Sequence, residues 1–466
     1  MNFTKKPKIG LLPFYLSLYD TYAPNAEPDM LQNAENAKSA LEAAGLEVFA
    51  APICRVERQF NEAIAAIEQS GAAVIVTLHL AYSPSLESLP ALLSSKLPII
   101  ALDITPEYHF GARQNSADIM ENHGIHGVQD MCSMLRRHGR RYYVEAGHIK
   151  DPEVISRVVK RVYAICAAFV LKNTRVGTIG KPFVGMGDFY AAPEHLRDTL
   201  GIEVIDFDFN DAQRLLSAFS DKDVSEEMAC YKNNYNITKN IKRGDFENTA
   251  RASLMVRKWI EENRLNAFTF NFTDITRECG VPTVPFIEAS VCMSKGIGYA
   301  GEGDTMTASL VGALLSAYKK TTFAEMFCPC WDNDTIFLSH MGEVNFAVCE
   351  SMPDLALADF PYTNAEKPLV AYGRMRAGKA VFVNLAIGPR GYELIFAPVC
   401  MLPPSDSEKL RHTVQGWFKH TLSAARFLEE YSYAGGTHHG AVVYGAEAYE
   451  IKTFGEILGF NITEIS

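Results

Sequence analysis

Apolar runs and helical patterns alternate along the first third of the chain. The runs KIGLLPFY, LEVFAAPI, AAVIVTLHL and LPIIALDI are short, rich in strand-forming residues and bounded by turns, so they predict strands. Between them, residues 33–44 and 57–69 place apolar side chains at helical spacing, and the first of these helices is expected to end at Gly45. Strands and helices that alternate in this way are typical of βαβ units around a parallel sheet.

The same pattern begins again near Lys172, which we take as the first domain boundary. A long helix that begins at Asp151 precedes this point, and the run TRVGTIG then predicts a new strand. The runs IEVIDFDF and NAFTFN predict further strands, and a helix is expected after GEGD. This second set of elements predicts another parallel sheet.

From about Thr321 the pattern changes to closely spaced strand-like runs with few helices between them. These runs are TTFAEMF, DTIFLSHMG, EVNFAVCE, KAVFVNLAIG and GAVVYG. The sequence therefore predicts an α/β protein with three domains. Residues 1–172 and 173–320 are expected to form two Rossmann-like or flavodoxin-like α/β domains with parallel sheets, and residues 321–466 a β-rich, barrel-like C-terminal domain.

Composition and charge narrow the classes of partner. The chain has 466 residues, of which 48% are hydrophobic and 21% charged, as in soluble globular proteins. A formal net charge of −11 argues against nucleic acid and anionic membrane surfaces as partners, because both are polyanions. No apolar run approaches the ~20 residues that a membrane span needs. The ten cysteines are scattered through a large chain, which favours reduced thiols and a cytoplasmic protein. Because the charge argues against polyanionic partners, a small molecule is the expected partner.

The stretch GYAGEGDTMTASL places two carboxylates in a glycine-rich turn before an apolar run. Glycines let the backbone approach a ligand closely, but acidic groups repel the phosphates that such turns usually bind. Glu302 therefore indicates a site for a cation or a neutral polyol, and Asp304 is expected to cap the following helix. The loop KPFVGMGDF lacks G-x-G-x-x-G and is interpreted as a strand-to-helix turn, so no nucleotide cofactor is expected.

Further candidate ligands lie at or near strand ends. They are Glu325 in TTFAEMF, His340 in FLSHMG and the pair His438 and His439 in AGGTHHGAVVYG. Taken singly, each has an ordinary structural explanation, such as a solvated carboxylate or a hydrogen-bonded core histidine. Because neighbouring strand residues face opposite sides, at most one histidine of the pair is expected to face a given site. Two carboxylates and two imidazoles would leave two positions of an octahedral divalent ion open for substrate oxygens.

In order and approximate spacing, the motifs NFTDITR, GIGYAGEGDTMTASLVGAL, TTFAEMF, FLSHMGEV and AGGTHHGAVVYG resemble the core motifs of the L-arabinose isomerase family, which is related in fold to L-fucose isomerase. The resemblance implies an aldose-ketose isomerase in which Glu302 and Glu325 bind a metal and exchange the substrate proton. It also implies that His340 and His439 complete the ligand set. The implied metal is Mn²⁺, and Co²⁺ or Mg²⁺ are alternatives.

The resemblance also extends to the motif NHGIHGVQDM. His126 in this motif matches a substrate-contacting histidine that reaches the site of a neighbouring subunit, which implies a homo-oligomer, a trimer or hexamer, with active sites at subunit interfaces. Thr305 and His123 stand where the family usually has Trp and Gln, and with His438 they are expected to line the sugar pocket. The substrate is therefore left open as a pentose or a (deoxy)hexose.

Two other functions remain compatible with these residues. A fold can be retained without its activity, so the chain could be a non-catalytic sugar-binding or regulatory protein on the same scaffold. The same groups would also suit a metal-dependent sugar epimerase or a hydrolase. Which of the two glutamates removes the proton from carbon is likewise left open.

Overall fold

The structure, a computed structural model, describes residues 6–22, 27–115, 118–405 and 408–466. The chain divides into two compact units, residues 3–166 and residues 167–466. The boundary falls within a long helix, Pro152–Leu171.

The first unit is built around a parallel sheet with the strand order β2-β1-β3-β4-β5. Its central strand β3 is buried at every position, as expected for a parallel strand covered on both faces by helices. The strands are β1 (Lys8–Phe14), β2 (Glu47–Ala50), β3 (Val74–His79), β4 (Ile99–Thr105) and β5 (Tyr143–His148). The helices are α1 (Leu18–Tyr22), α2 (Glu27–Ala43), α3 (Glu57–Gln69), α4 (Ser85–Ser94), α5 (Asp118–Asn122), α6 (Gly124–Arg137) and α7 (Pro152–Leu171), which continues into the second unit.

The second unit begins with a second parallel sheet, in which the strand order is β10-β9-β6-β7. The strands are β6 (Arg175–Ile179), β7 (Glu203–Asp206), β9 (Ala267–Phe270) and β10 (Gly298–Gly301). The helices of this part are α8 (Pro193–Leu200), α9 (Ala212–Ser217), α10 (Asp221–Asn234), α11 (Arg243–Asn263), α12 (Phe286–Ser294) and α13 (Thr305–Ala317). In a small separate sheet, β13 (Asp354–Leu357) lies between β8 (Asn236–Ile237) and β14 (Leu369–Tyr372) and pairs with both.

An antiparallel β-barrel follows in the same unit. Its strand order is β15-β18-β11-β12-β17-β16, and β16 pairs with β15 so that the sheet closes on itself. The strands are β11 (Thr321–Cys330), β12 (Thr335–Ser339), β15 (Gly378–Gly388), β16 (Gly391–Met401), β17 (Gly416–Lys419) and β18 (His439–Tyr444), with β19 (Asn461–Glu464) added in parallel to β16. The remaining helices are α14 (Ala424–Tyr433) and α15 (Ala448–Leu458).

One hydrophobic core joins the second parallel sheet to the barrel. Helix α13 is buried along nearly its whole length, and its side chains belong to the same cluster as Val381 and Val443 of the barrel. Burial of apolar surface is the main favourable term in folding, so a shared core explains why residues 167–466 form one unit. The arrangement also places the turn before α13 beside the barrel.

The predicted fold class is confirmed, since parallel-sheet α/β layers are followed by a β-barrel. The predicted strand at EVNFAVCE is wrong, because Phe346–Val348 forms a 3₁₀ turn. The Asn345 side chain accepts a hydrogen bond from Ala347 N at 2.9 Å and so replaces strand pairing with a local cap. The division into three domains stays a prediction. None of the described helices is long and apolar enough to cross a bilayer.

Candidate active site

Glu302 lies in a tight turn between β10 and α13. Asp304 N donates to Gly301 O at 3.0 Å, and both central residues have positive φ, 62° at Glu302 and 85° at Gly303. A turn of this kind suits glycine, and a glutamate held in it carries strain of order 1 kcal/mol. The glycine-rich sequence therefore allows the chain to reverse direction between β10 and α13. The reversal leaves the Glu302 carboxylate at the end of a parallel strand.

Asp304 fulfils its predicted role as the N-cap of α13 and also contacts a histidine. One oxygen, Oδ1, accepts from Thr307 N at 2.8 Å, while Oδ2 accepts from His439 Nδ1 at 2.9 Å. Both Asp304 and His439 have fully buried side chains. The cap is confirmed, and it fixes the ring of a barrel histidine as well.

The barrel register places Glu325 between two histidines. Glu325 pairs with His439 across β11 and β18 and with Ser339 across β11 and β12, and His340 follows Ser339 directly. Residues opposite each other in an antiparallel pair project to the same face. As a result Glu325 Oε1 lies 2.9 Å from His439 Nε2. His340 lies just beyond the end of β12, where side chains need not alternate, and its Nε2 is 3.2 Å from the same oxygen.

His340 is fixed by a buried carboxylate that the sequence analysis did not single out. Glu343 Oε2 accepts from His340 Nδ1 at 2.7 Å and from Gly342 N at 2.9 Å. Its other oxygen accepts from the Tyr299 hydroxyl at 2.5 Å. The signal was present in the motif SHMGEV, in which a glutamate follows the histidine by three residues.

His438 also faces this group of side chains. Its Nε2 lies 3.8 Å from Glu302 Oε2, and His439 Nε2 lies 3.5 Å from the same oxygen. The prediction that only one histidine of the pair can face a given site is therefore wrong. His438 precedes β18, so the alternation of strand side chains does not apply to it.

The loop between β6 and α8 also contributes to the site, beyond its predicted role as a turn. Phe183 N donates to Glu302 O at 2.9 Å, and the Phe189 ring stacks on His439 at a centroid distance of 4.7 Å. Asp188 Oδ2 accepts from His438 Nδ1 at 2.7 Å. The available signal in the sequence was an acidic and an aromatic residue, Asp188 and Phe189, in a glycine-rich loop that follows a strand.

The charges of the group are strongly coupled. Burial alone would raise the pKa of Glu302, but the imidazoles of His438 and His439 outweigh it and lower the pKa to about 2. Burial alone would lower the pKa of His340, yet Glu343 and Glu325 raise it to about 10. The carboxylates thus create a field that favours positive charge among them.

The donor set fits a divalent cation. Ligand atoms of Glu302, Glu325, His438 and His439 all lie within 4.8 Å of one another. The Nε2 atoms of His340 and His439 are buried and lie 3.2 and 2.9 Å from Glu325 Oε1, but within the described part of the chain neither makes a hydrogen bond of acceptable angle. Carboxylate oxygens and imidazole nitrogens are ligands that Mn²⁺ and its neighbours accept. His340, a predicted ligand, borders this group through Glu325, whereas His438 is added to it.

The other predicted site residues belong to both compact units. Thr305 is buried as the first residue of α13, directly after Asp304. His123 and His126 lie in the first unit at the start of α6, where their rings contact each other at 5.7 Å between centroids. The Tyr19 hydroxyl is 2.9 Å from His123 Nε2, and His126 is exposed.

The fold and the site define an α/β protein in which the barrel and the turn before α13 together carry a group of carboxylates and imidazoles suited to a divalent cation. Residues 195–319 match the family model of the L-arabinose isomerase central domain, and residues 320–461 match that of the L-arabinose isomerase C-terminal domain. Together these matches span more than half of the chain. The chain therefore belongs to the L-arabinose isomerase family, a family of aldose-ketose isomerases, which confirms the resemblance seen in its motifs.

Curated relatives agree with the family assignment at low identity. An L-arabinose isomerase from Shouchella clausii (strain KSM-K16) is 26% identical over 76% of this chain and 75% of the relative. One from Nocardioides sp. (strain ATCC BAA-499 / JS614) is 21% identical over 95% and 90%. Among solved structures, a periplasmic solute binding protein from Actinobacillus succinogenes 130z with bound D-allose is 10% identical. The match covers 67% of this chain and 92% of that protein, with a TM-score of 0.18.

Proposed function

We propose that this chain is a metal-dependent aldose-ketose isomerase that acts on a pentose or a (deoxy)hexose. The observation that carries the proposal is the convergence of two carboxylates and several imidazoles on one point of the second unit. Mn²⁺ is the proposed metal, with Co²⁺ or Mg²⁺ as alternatives. The names of the relatives make L-arabinose the first sugar to test.

Isomerisation moves a proton between C1 and C2 and a second proton between the two oxygens. When bound, a divalent cation supplies positive charge where negative charge develops on the sugar oxygens. Glu302 and Glu325 are proposed to share the proton transfers through a cis-enediol, one at carbon and one at oxygen. Their pKa values are lowered, which keeps both carboxylates ionised and able to accept a proton at neutral pH.

The remaining side chains are proposed to hold these groups in place. His340 and His439 each use Nδ1 for a buried carboxylate, which leaves Nε2 for the cation. Thr305, His438, His123 and His126 are proposed to contact the sugar, the last from a neighbouring subunit of a homo-oligomer. A threonine at position 305 removes the bulk of the usual tryptophan, so sugars larger than L-arabinose belong in the test.

The proposal is tested by incubating the Mn²⁺-loaded protein with a panel of aldoses and ketoses and analysing the products. We expect interconversion of one aldose-ketose pair, loss of activity with EDTA, and a drop of at least 10²-fold in kcat for Glu302→Gln and for Glu325→Gln. The exposed Glu350→Gln is the matched control and should retain full activity.

Turnover that survives both glutamine variants would contradict the proposed mechanism. In heavy water, deuterium at C2 of the aldose without any ketose would indicate an epimerase instead. Sugar binding that is unaffected by EDTA and by Glu302→Gln, with no turnover, would indicate a binding protein.

A further inference from the structure

Asp188 and His438 form a contact between two distant parts of the chain. Asp188 Oδ2 accepts from His438 N at 3.0 Å and from His438 Nδ1 at 2.7 Å. An ionised carboxylate can only accept hydrogen bonds, so Nδ1 carries a hydrogen and Nε2 is left to face Glu302. The two bonds together restrain both the backbone and the ring of His438.

The loop that carries Asp188 is itself fixed to the site. Lys181 N donates to Asp274 Oδ2 at 2.7 Å, and Asn271 Nδ2 donates to Lys181 O at 2.9 Å. Farther along, Phe183 N donates to the Glu302 carbonyl at 2.9 Å. The same loop therefore binds the turn that carries Glu302 and also carries Asp188, the residue that orients His438.

The other two imidazoles of the site have the same arrangement. Asp304 accepts from Nδ1 of His439, and Glu343 accepts from Nδ1 of His340. Carboxylates that bind the second nitrogen of a metal-ligating histidine fix its orientation and raise its affinity for the ion. The third pair differs in exposure, because the side chains of Asp188 and His438 are 40% and 38% exposed while those of Asp304 and His439 are fully buried.

We propose that Asp188 is a positioning residue that holds His438 with Nε2 toward Glu302, so that His438 joins the cation site as a third imidazole while its exposed ring face is left to contact the sugar. The inference rests on the proposed metal-dependent function. It adds Asp188, from the loop after β6, to the residues that shape the site. It also makes His438 the imidazole of the site that solvent and substrate can reach.

The test measures Mn²⁺ affinity from the free-ion electron paramagnetic resonance signal and the visible spectrum of the Co²⁺-loaded protein. Asp188→Ala should weaken Mn²⁺ binding about 10- to 100-fold and alter the Co²⁺ spectrum. Asp188→Asn should restore most of the affinity, since its amide oxygen still accepts from Nδ1. The matched control is Lys181→Ala in the same loop, whose side chain pairs with Asp206 at 3.1 Å and should leave both readings unchanged.

A double-mutant cycle separates positioning from a general effect on folding. If Asp188 acts through His438, Asp188→Ala should add no further loss of affinity to His438→Ala. Equal Mn²⁺ affinity in wild type and Asp188→Ala, or a loss that persists undiminished in the His438→Ala background, would overturn this inference alone. A wild-type protein that binds none of Mn²⁺, Co²⁺ and Mg²⁺ would overturn the proposed function and this inference with it.

Discussion

At the scale of single residues, the site depends on pairs in which a carboxylate fixes an imidazole. Glu343 and Asp304 are both fully buried and bind the Nδ1 atoms of His340 and His439. A buried carboxylate without partners would be strongly unfavourable. Each of these two carboxylates also accepts a hydrogen bond from a backbone N–H, Glu343 from Gly342 and Asp304 from Thr307. Each pair is therefore stable in the interior and directs Nε2 of the histidine to the centre of the site.

Glu343→Gln should weaken the binding of Mn²⁺ by about 10- to 100-fold, because both buried carboxylate oxygens of Glu343 accept hydrogen bonds and the amide nitrogen that replaces one of them cannot accept. Asp188→Asn differs from this change, since Asp188 accepts from His438 through only one oxygen. The amide keeps the size of the side chain, so the loss reflects charge and hydrogen bonding rather than a cavity. Titration with Mn²⁺ followed by calorimetry measures the change, with Glu350→Gln as the exposed control. Unchanged affinity in Glu343→Gln would show that His340 does not need this partner.

At the scale of elements, β10 and α13 are packed so closely that their contact sets the position of Glu302. A methyl group at Gly298 would lie 2.2 Å from Ala308 O and 2.3 Å from Gly312 N, both of which are backbone atoms of α13. Strand and helix can approach to this distance only because glycine has no side chain. The close contact between β10 and α13 therefore fixes the geometry of the turn that carries Glu302.

Gly298→Ala should destabilise the protein by about 1–3 kcal/mol, because backbone atoms of α13 must move to admit the methyl group. The same movement should displace the turn at Glu302 and weaken Mn²⁺ binding. Gly244→Ala is the matched control, since Gly244 lies in the first turn of α11 with no atom near the added methyl group, and it should be neutral or stabilising by up to about 1 kcal/mol. Urea unfolding measures the stability of both variants. Equal unfolding midpoints for Gly298→Ala and Gly244→Ala would contradict the close packing of β10 against α13.

At the scale of the whole molecule, the proposed functional residues are divided between the two compact units. Glu302, Glu325 and the barrel histidines belong to residues 167–466, whereas His126 is exposed in the unit of residues 3–166. An exposed histidine is available to a neighbouring copy of the chain. This agrees with the proposal that His126 completes the site of another subunit.

Subunit exchange tests that proposal. His126→Ala and Glu302→Gln should each have little activity alone, but mixed oligomers of the two should recover activity, because some sites then combine an intact Glu302 with an intact His126. The control mixture of Glu302→Gln and Glu325→Gln should stay inactive. Glu302 and Glu325 of one site come from the same subunit, so every site in the mixture lacks one of the two carboxylates. Recovery no greater than in the control, or full activity of His126→Ala alone, would contradict a shared site.

Local patterns in the sequence were sufficient for most elements. The helix predicted at residues 57–69 is found at Glu57–Gln69, and the run KAVFVNLAIG lies within Gly378–Gly388. Such elements are set by the spacing of apolar residues and by turn residues a few positions away, and both features can be read from the local sequence. The run EVNFAVCE does not form a strand, because the Asn345 side chain caps a 3₁₀ turn there by accepting from Ala347 N and also donates to the carbonyls of Lys319 and Thr321.

The sequence by itself determined the order of sheets and barrel, the family, the cap at Asp304 and the residue types available for chemistry. Only the tertiary structure decided that both histidines of the pair face Glu302, that Glu343 fixes His340 and that Asp188 reaches His438. These contacts join residues far apart in the chain, such as Asp188 and His438, which are separated by 250 positions. Periodicity describes neighbours in sequence, whereas the closing of the barrel beside the turn at Glu302 brings the site together, and that depends on the packing of the whole core.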